Sequence, residues 1–214
     1  MKKGVIFDMD GVLIDSEEYY FNRRMEYFKR IKIKPNHTNL QSFIGKSNDA
    51  VWKLLIKDSK IRSKIKADYE ASISNDKTNY KKLLIPGVRD FLELLTSRQI
   101  KIALASAGDR DRNIKVLYDC ELYEYFDVVL GAEDVERNKP DPQIYIKAVK
   151  QLNLLSEDCL VIEDSFNGIM AAKEANIETW ALKSRKHEMN QKKADEIFLN
   201  FKSISETFFK GNYI

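Results

Sequence analysis

The chain has 214 residues, enough for one large domain or a core carrying an insertion, with ample material for a hydrophobic core. Its 36 basic and 33 acidic side chains leave a net charge of +3, which excludes the strong single-sign field of a nucleic-acid or membrane-surface binder. No stretch approaches the roughly 18 apolar residues of a membrane span, and the run after Lys2-Lys3 is too short for a signal peptide. Cys120 and Cys159 form no CxxC pair and no disulfide framework, so a reducing, cytoplasmic compartment is expected.

The first element is Val5-Ile6-Phe7, an apolar run of the kind found in buried parallel strands, which leads into Asp8-Met9-Asp10-Gly11. Open α/β sheets place their chemistry beyond the carboxyl ends of such strands, where two acids on one strand edge could share a hard cation. The plainer alternative is a strand leaving through an Asp-Gly turn. An EF-hand is excluded, because its glycine lies about five residues after the first ligand, whereas Gly11 follows Asp8 by three.

Residues 16–83 show no strand pattern. Phe21, Met25 and Phe28 recur at helical spacing, Ser47 can cap a helix carrying Val51, Leu54 and Leu55, and Lys60 to Tyr69 is a charged helical stretch. This region reads as a helical module inserted after the first strand, which splits the remainder into 1–15 and 84–214.

From Pro86 onward strands and helices alternate. A helix follows Pro86-Gly87 with Val88, Phe91, Leu92, Leu94 and Leu95 on its apolar stripe, and Lys101–Ala105 is a strand. A helix over Arg110–Leu117, a strand over Asp127–Leu130 and a helix over Pro142–Leu152 come next. Cys159–Ile162 is a fourth strand with its helix at Phe166–Ala175, and Thr179–Leu182 and Glu196–Leu199 read as later strands. This rhythm predicts an α/β fold, a Rossmann-like doubly wound parallel sheet core with an inserted α-helical cap domain.

On this map Ser106 ends the second strand, Lys139 follows the third and Glu163-Asp164 end the fourth. Each has a bland account: Ser106 could begin a helix, Lys139 could be a surface lysine, and Asp164 or Ser165 could be an N-cap. Those accounts leave unexplained why all of them gather with Asp8 at one rim of one sheet.

The constellation resembles the haloacid dehalogenase-like superfamily of phosphoryl-transfer enzymes. Asp8-Met9-Asp10-Gly11-Val12, Ser106, Lys139 and Glu163-Asp164 match its four motifs in order and strand-end placement. Asp15-Ser16-Glu17, the Lys139-Pro140-Asp141-Pro142 turn and the segment Glu163 to Gly168 resemble the β-phosphoglucomutase-like subgroup. The resemblance implies a cap of four or five helices. It also implies Mg²⁺ held by Asp8, Asp164 and the carbonyl of Asp10.

A phosphate monoester repels anionic nucleophiles, so catalysis needs positioning and positive charge around the transferring group. Asp8 is the candidate nucleophile, forming an aspartyl-phosphate. Lys139 and Ser106, with backbone N–H groups around Ala107 and Gly108, would hold phosphate oxygens. Glu163 would orient Lys139 or a water on the metal. Asp10 would protonate the leaving alkoxide and then deprotonate the attacking water or hydroxyl. A halide leaves without a proton, so this acid favours phosphoryl transfer over carbon–halogen cleavage.

The cap departs from the mutases. Tyr20 stands where they carry histidine, and Asn48 stands where a cap arginine grips the distal phosphate. Gly108-Asp109-Arg110 replaces their Ser-Lys-Asn, and Arg110 and Lys46 are the cations that could compensate. The expected activity is hydrolysis of a small phosphorylated metabolite such as a sugar phosphate, by a monomer without nucleic-acid or membrane partners. A phosphomutase is the alternative. A phospho-acceptor signalling module is more remote, since receiver domains lack a large insertion after the first strand. His37 and His187 lie far from the motifs and are expected to be structural or superficial.

Overall fold

The structure, a computed structural model, describes residues 2–44, 46, 48–73, 78–184 and 189–210. Ser47 and His187 therefore lie outside the described residues. The chain divides into two compact units, Met1–Asp15 with Tyr80–Ile214, and Ser16–Asn79.

The first unit holds six parallel strands: β1 (Gly4–Phe7), β2 (Lys101–Ala105), β3 (Val128–Leu130), β4 (Cys159–Glu163), β5 (Glu178–Leu182) and β6 (Glu196–Phe198). Their order is β3-β2-β1-β4-β5-β6, so the chain moves outward one way from β1, returns, and moves outward the other way. All four residues of β1 are buried, as a central parallel strand covered on both faces requires. In register, Ile6 stands beside Ala103 of β2 and Val161 of β4.

Alternation along the strands feeds two separate cores. Ile6, Ala103, Ala105 and Val161 pack with Ile144, Tyr145, Ala148, Ala171 and Ala172. Those partners come from the helices numbered here α6 (Gln143–Leu152) and α7 (Phe166–Glu174). Phe7 points the other way, 6.1 Å from the ring of Phe91 and 6.4 Å from that of Phe201. Phe91 lies on α4 (Val88–Ser97), Phe201 on α8 (Phe201–Lys210), and α5 (Arg110–Asp119) packs by β3. Helix α8 has no counterpart in the sequence reading above. Its buried residues Phe201, Ile204 and Phe208 do recur at helical spacing.

The helical unit contains α1 (Glu17–Arg30), α2 (Asn48–Leu55) and α3 (Ser59–Ile73) around a core that includes Phe28, Phe43, Trp52, Leu55, Ile65 and Tyr69. Among the described residues this is three α-helices and one 3-10 turn (Leu40–Ser42), not the four or five helices the resemblance implies. The stretch after α1 is polar, carries Lys32 at φ 56° and contains Pro35, so it offers no apolar stripe to bury. Residues Tyr80–Leu83, assigned to the inserted module from sequence, form a 3-10 turn grouped with the sheet unit. At the joints, Asp15 N–H donates to Leu83 O (2.8 Å) and Ile85 N–H to Leu13 O (2.9 Å). Among the described residues no helix is long and apolar enough to cross a membrane.

Phe91 is fully buried and touches Phe7, Phe201 and Phe208 at ring distances of 5.8–6.1 Å. Phe91→Ala is expected to cost about 3–5 kcal/mol, measured as a lowered urea midpoint by circular dichroism. A loss under about 1 kcal/mol would show that the aromatic cluster collapses around the gap.

Candidate active site

Strand β1 ends at Phe7, so Asp8 and Asp10 sit in the turn beyond it rather than on the strand edge itself. Asp8 is anchored by its N–H, which donates to Ile162 O of β4 at 3.0 Å. Ser106 follows β2, with its N–H donating to Leu130 O at 3.2 Å. Glu163 is the last residue of β4 and Asp164 the next. Because the strands are parallel, these residues share one edge of the sheet.

Lys139 reaches that edge from the loop after β3. Its ammonium donates to Asp8 Oδ1 (2.7 Å), Glu163 Oε1 (2.7 Å) and Ala105 O (2.9 Å), which uses all three donors. The Lys139 side chain is 5% exposed, Asp8 12% and Glu163 0%, so these charges are stable only as a mutually paired set. Burial works against the Lys139 ammonium, but Asp8 and Glu163 outweigh it and hold it well above the ordinary lysine range. Burial likewise opposes the Glu163 carboxylate, and Lys139 with hydrogen bonds from Ser165 and Tyr145 still brings it below the usual value. Asp8 goes the other way: burial, assisted by the charges of Glu163 and Asp10, overcomes Lys139 and pushes it up to about 7.

Asp8, Glu163 and Asp164 place carboxylate oxygens within 4.8 Å of one another. Two acids paired with one ammonium and a third beside them form an anionic cluster of oxygens that suits a hard dication such as Mg²⁺. Glu163 is already committed within it. Its Oε1 accepts from Lys139 and Tyr145, and its Oε2 accepts from Asp164 N–H, Ser165 N–H and Ser165 Oγ. Asp8 and Asp164 are the other two acids of the group. Gly11, at φ 85°, keeps that space open, since a Cβ there would stand 2.1 Å from Asp164 Oδ2. Gly168 does the same for Glu163, where a Cβ would meet Oε1 at 1.7 Å.

Asp10 is not a member of this acidic group. Its carboxylate is gripped by Arg112 of α5, with Nη1 donating to Oδ2 (2.7 Å) and Nη2 to Oδ1 (2.6 Å). Ser106 Oγ accepts the Gly108 N–H at 3.1 Å, which folds the Ser106-Ala107-Gly108 loop on itself ahead of α5. Arg110, a compensating cation in the sequence reading, instead lies 3.8 Å from Asp134. Gln191 was not singled out from sequence; its Nε2 donates to the carbonyls of Asp164 (2.6 Å) and Leu182 (2.9 Å) and steadies the Asp164 backbone. In the helical unit Asn48 Oδ1 accepts from Arg24 at 3.2 Å, and Arg24 lies over the Tyr20 ring at 5.9 Å. Lys46 is exposed and His37 partly buried. Both cysteine thiols are buried and pushed up to about 11 by burial, which suits inert packing residues.

Two consequences can be measured. An acid whose folded value lies above its unfolded value destabilises the fold increasingly as pH rises between the two, here from about 3.8 to about 7. Asp8→Asn keeps an acceptor for Lys139 and removes that burden, so without metal it is expected to raise Tm by several degrees at pH 8. The gain should be much smaller at pH 4.5, and equal shifts at both values in a thermal melt with EDTA would contradict the charge argument. Gly168→Ala must displace the Glu163 carboxylate and with it Lys139, and is expected to lower activity by at least about 10²-fold. Near-normal turnover in that variant would show that Glu163 need not stay in place.

Residues 5–182 match the family model described as haloacid dehalogenase-like hydrolase. A phosphorylated carbohydrates phosphatase of Thermotoga maritima is 35% identical over 182 residues, 82% of either chain. A β-phosphoglucomutase of Bacillus subtilis is 29% identical over 185 residues, 82% of this chain and 80% of that one. Among solved structures, a β-phosphoglucomutase from Clostridium difficile gives a TM-score of 0.76 at 26% identity, over 98% of both chains. The chain belongs to the haloacid dehalogenase-like hydrolase family and is an enzyme of its phosphatase and phosphomutase kind.

Proposed function

We propose that the chain is a cytoplasmic, monomeric phosphatase that hydrolyses a small phosphorylated metabolite, of the sugar phosphate class, through an aspartyl-phosphate on Asp8. The supporting observation is the Asp8 carboxylate held 2.7 Å from the Lys139 ammonium at the carboxyl edge of the sheet. The name of the Thermotoga maritima relative, a phosphatase of phosphorylated carbohydrates, supports the substrate class.

Asp8 would attack phosphorus, so that an Asp8 O–P bond forms as the ester P–O bond breaks. Asp10 would give its proton to the departing alkoxide and later take one from water as that water cleaves the phosphoenzyme. Lys139 would neutralise charge gathering on the equatorial oxygens, and Ser106 with the N–H groups of Ala107 and Gly108 would hold the remaining oxygens. Asp8, Asp164 and the Asp10 carbonyl would hold Mg²⁺, which supplies charge neutralisation and orientation of the phosphoryl group. Glu163 would fix Lys139 from behind, and the helical unit 16–79 would act as the cap that selects the substrate.

Hydrolysis is preferred to mutase chemistry because Tyr20, Asn48 and Gly108-Asp109-Arg110 depart from the mutase pattern. A metabolite panel including β-glucose 1-phosphate, with and without a bisphosphate primer, separates the two. Inorganic phosphate is the expected product, and glucose 6-phosphate would establish the mutase. Asp8→Asn should abolish phosphoenzyme formation, and Asp10→Asn should slow turnover by about 10²–10⁴-fold. If the pure protein released no phosphate from any ester with Mg²⁺ present, the proposal would fall.

A further inference from the structure

Asp10 has work to do in the proposed reaction, and its carboxylate is held by a side chain from outside its own turn. The fixing comes from 102 residues further along the chain. Arg112 stands in the first turn of α5, where its own N–H is capped by Asp109 Oδ1 at 3.0 Å. From there its guanidinium meets both Asp10 oxygens at 2.6 and 2.7 Å. The pair is partly sheltered, with the Arg112 side chain 22% exposed and that of Asp10 31%.

The surroundings are shaped to keep the fork in place. Asn113 is fully buried; its Oδ1 accepts from Arg112 Nη1 at 3.3 Å and its Nδ2 donates to Gly108 O at 3.3 Å. Gly108 lacks the Cβ that would stand 3.0 Å from Nη1 and 3.3 Å from Ser106 Oγ. The loop that carries Ser106 and the arginine that holds Asp10 are thus joined through one buried amide.

Resting on the phosphatase reading above, we propose that Arg112 is a positioning residue that aims the Asp10 carboxyl group for proton transfer to the leaving ester oxygen and from the attacking water. A planar fork fixes the orientation of a carboxylate as well as its position, which a lysine at the same place could not do. An ionised carboxylate has about four lone-pair sites. Two donors from Arg112 engage two of them. Misaiming by about 1 Å can cost on the order of 10²-fold in rate.

The test uses the leaving group. Departure of an alkoxide needs the Asp10 proton, whereas a nitrophenolate leaves without it, and kcat/KM covers only the steps through that departure. Arg112→Ala is expected to lower kcat/KM for alkyl sugar phosphates by about 10–100-fold while changing that for p-nitrophenyl phosphate by less than about threefold. Arg112→Lys should recover only part of the loss. In an Asp10→Asn background, Arg112→Ala should add nothing further on the alkyl ester. Equal losses on both esters at an unchanged Tm, a gain on the alkyl ester, or additivity with Asp10→Asn would overturn the assignment. Should Arg112→Ala fail to fold, Arg112→Lys and Asp10→Asn, singly and combined, carry the same comparison. Absence of wild-type turnover would strike the phosphatase reading; wild-type turnover with unaltered leaving-group dependence would strike Arg112 alone.

Discussion

The site depends on a single ammonium held among buried carboxylates. Lys139 bonds to Asp8, to Glu163 and to the carbonyl of Ala105, and so ties the ends of β1, β4 and β2 together from the loop after β3. Removing the ammonium would strand both carboxylates in a medium that solvates them poorly, at a cost of about 3–5 kcal/mol. The arrangement is possible only with β1 between β2 and β4 and all three parallel, so that their carboxyl ends meet. Sheet order is therefore a condition of the chemistry and not a neutral scaffold.

Within that cluster the acids divide their duties by hydrogen-bond capacity. Glu163 accepts five hydrogen bonds, which fill the positions a cation would use, and its job is to hold Lys139 and the start of α7. Asp8 gives only Oδ1 to Lys139, and burial lifts it to about 7 because one ammonium is shared between two buried acids. A dication beside Asp8 and Asp164 would restore the balance of charge and favour the ionised Asp8 carboxylate. Gly11 and Gly168 are part of this arrangement, since each stands where any side chain would push one of the acids aside.

Much of this was legible from residues alone, because strand ends in a parallel sheet converge and the polar residues lie at those ends. Short apolar runs located the strands to within a residue or two, and Ser106, Lys139, Glu163 and Asp164 followed from their positions relative to them. Other features were hidden for physical reasons. Phe201–Lys210 carries Thr207, Phe208 and Phe209 in sequence, which suit a strand as well as the helix that forms. Arg112 lies in a run of alternating charge, Arg110-Asp111-Arg112, and only the phase of α5 decides which arginine faces Asp10 and which faces Asp134. Gln191 acts through backbone carbonyls, and nothing in its neighbourhood of lysines announces that.

The two aspartates of the opening motif show how far two residues of separation can divide identical side chains. Strand β1 stops at Phe7, and the turn through Gly11 sends the carboxylates in different directions. Asp8 goes into the sheet edge, where a compact ammonium meets its Oδ1. Asp10 goes outward to a planar guanidinium, which constrains its orientation while leaving it partly open. A nucleophile needs a fixed attacking atom in a dry setting, whereas an acid and base needs a fixed direction and access to water for its second half-reaction. On the proposed reading, these two kinds of cation, more than the aspartates themselves, separate the roles of nucleophile and of acid and base.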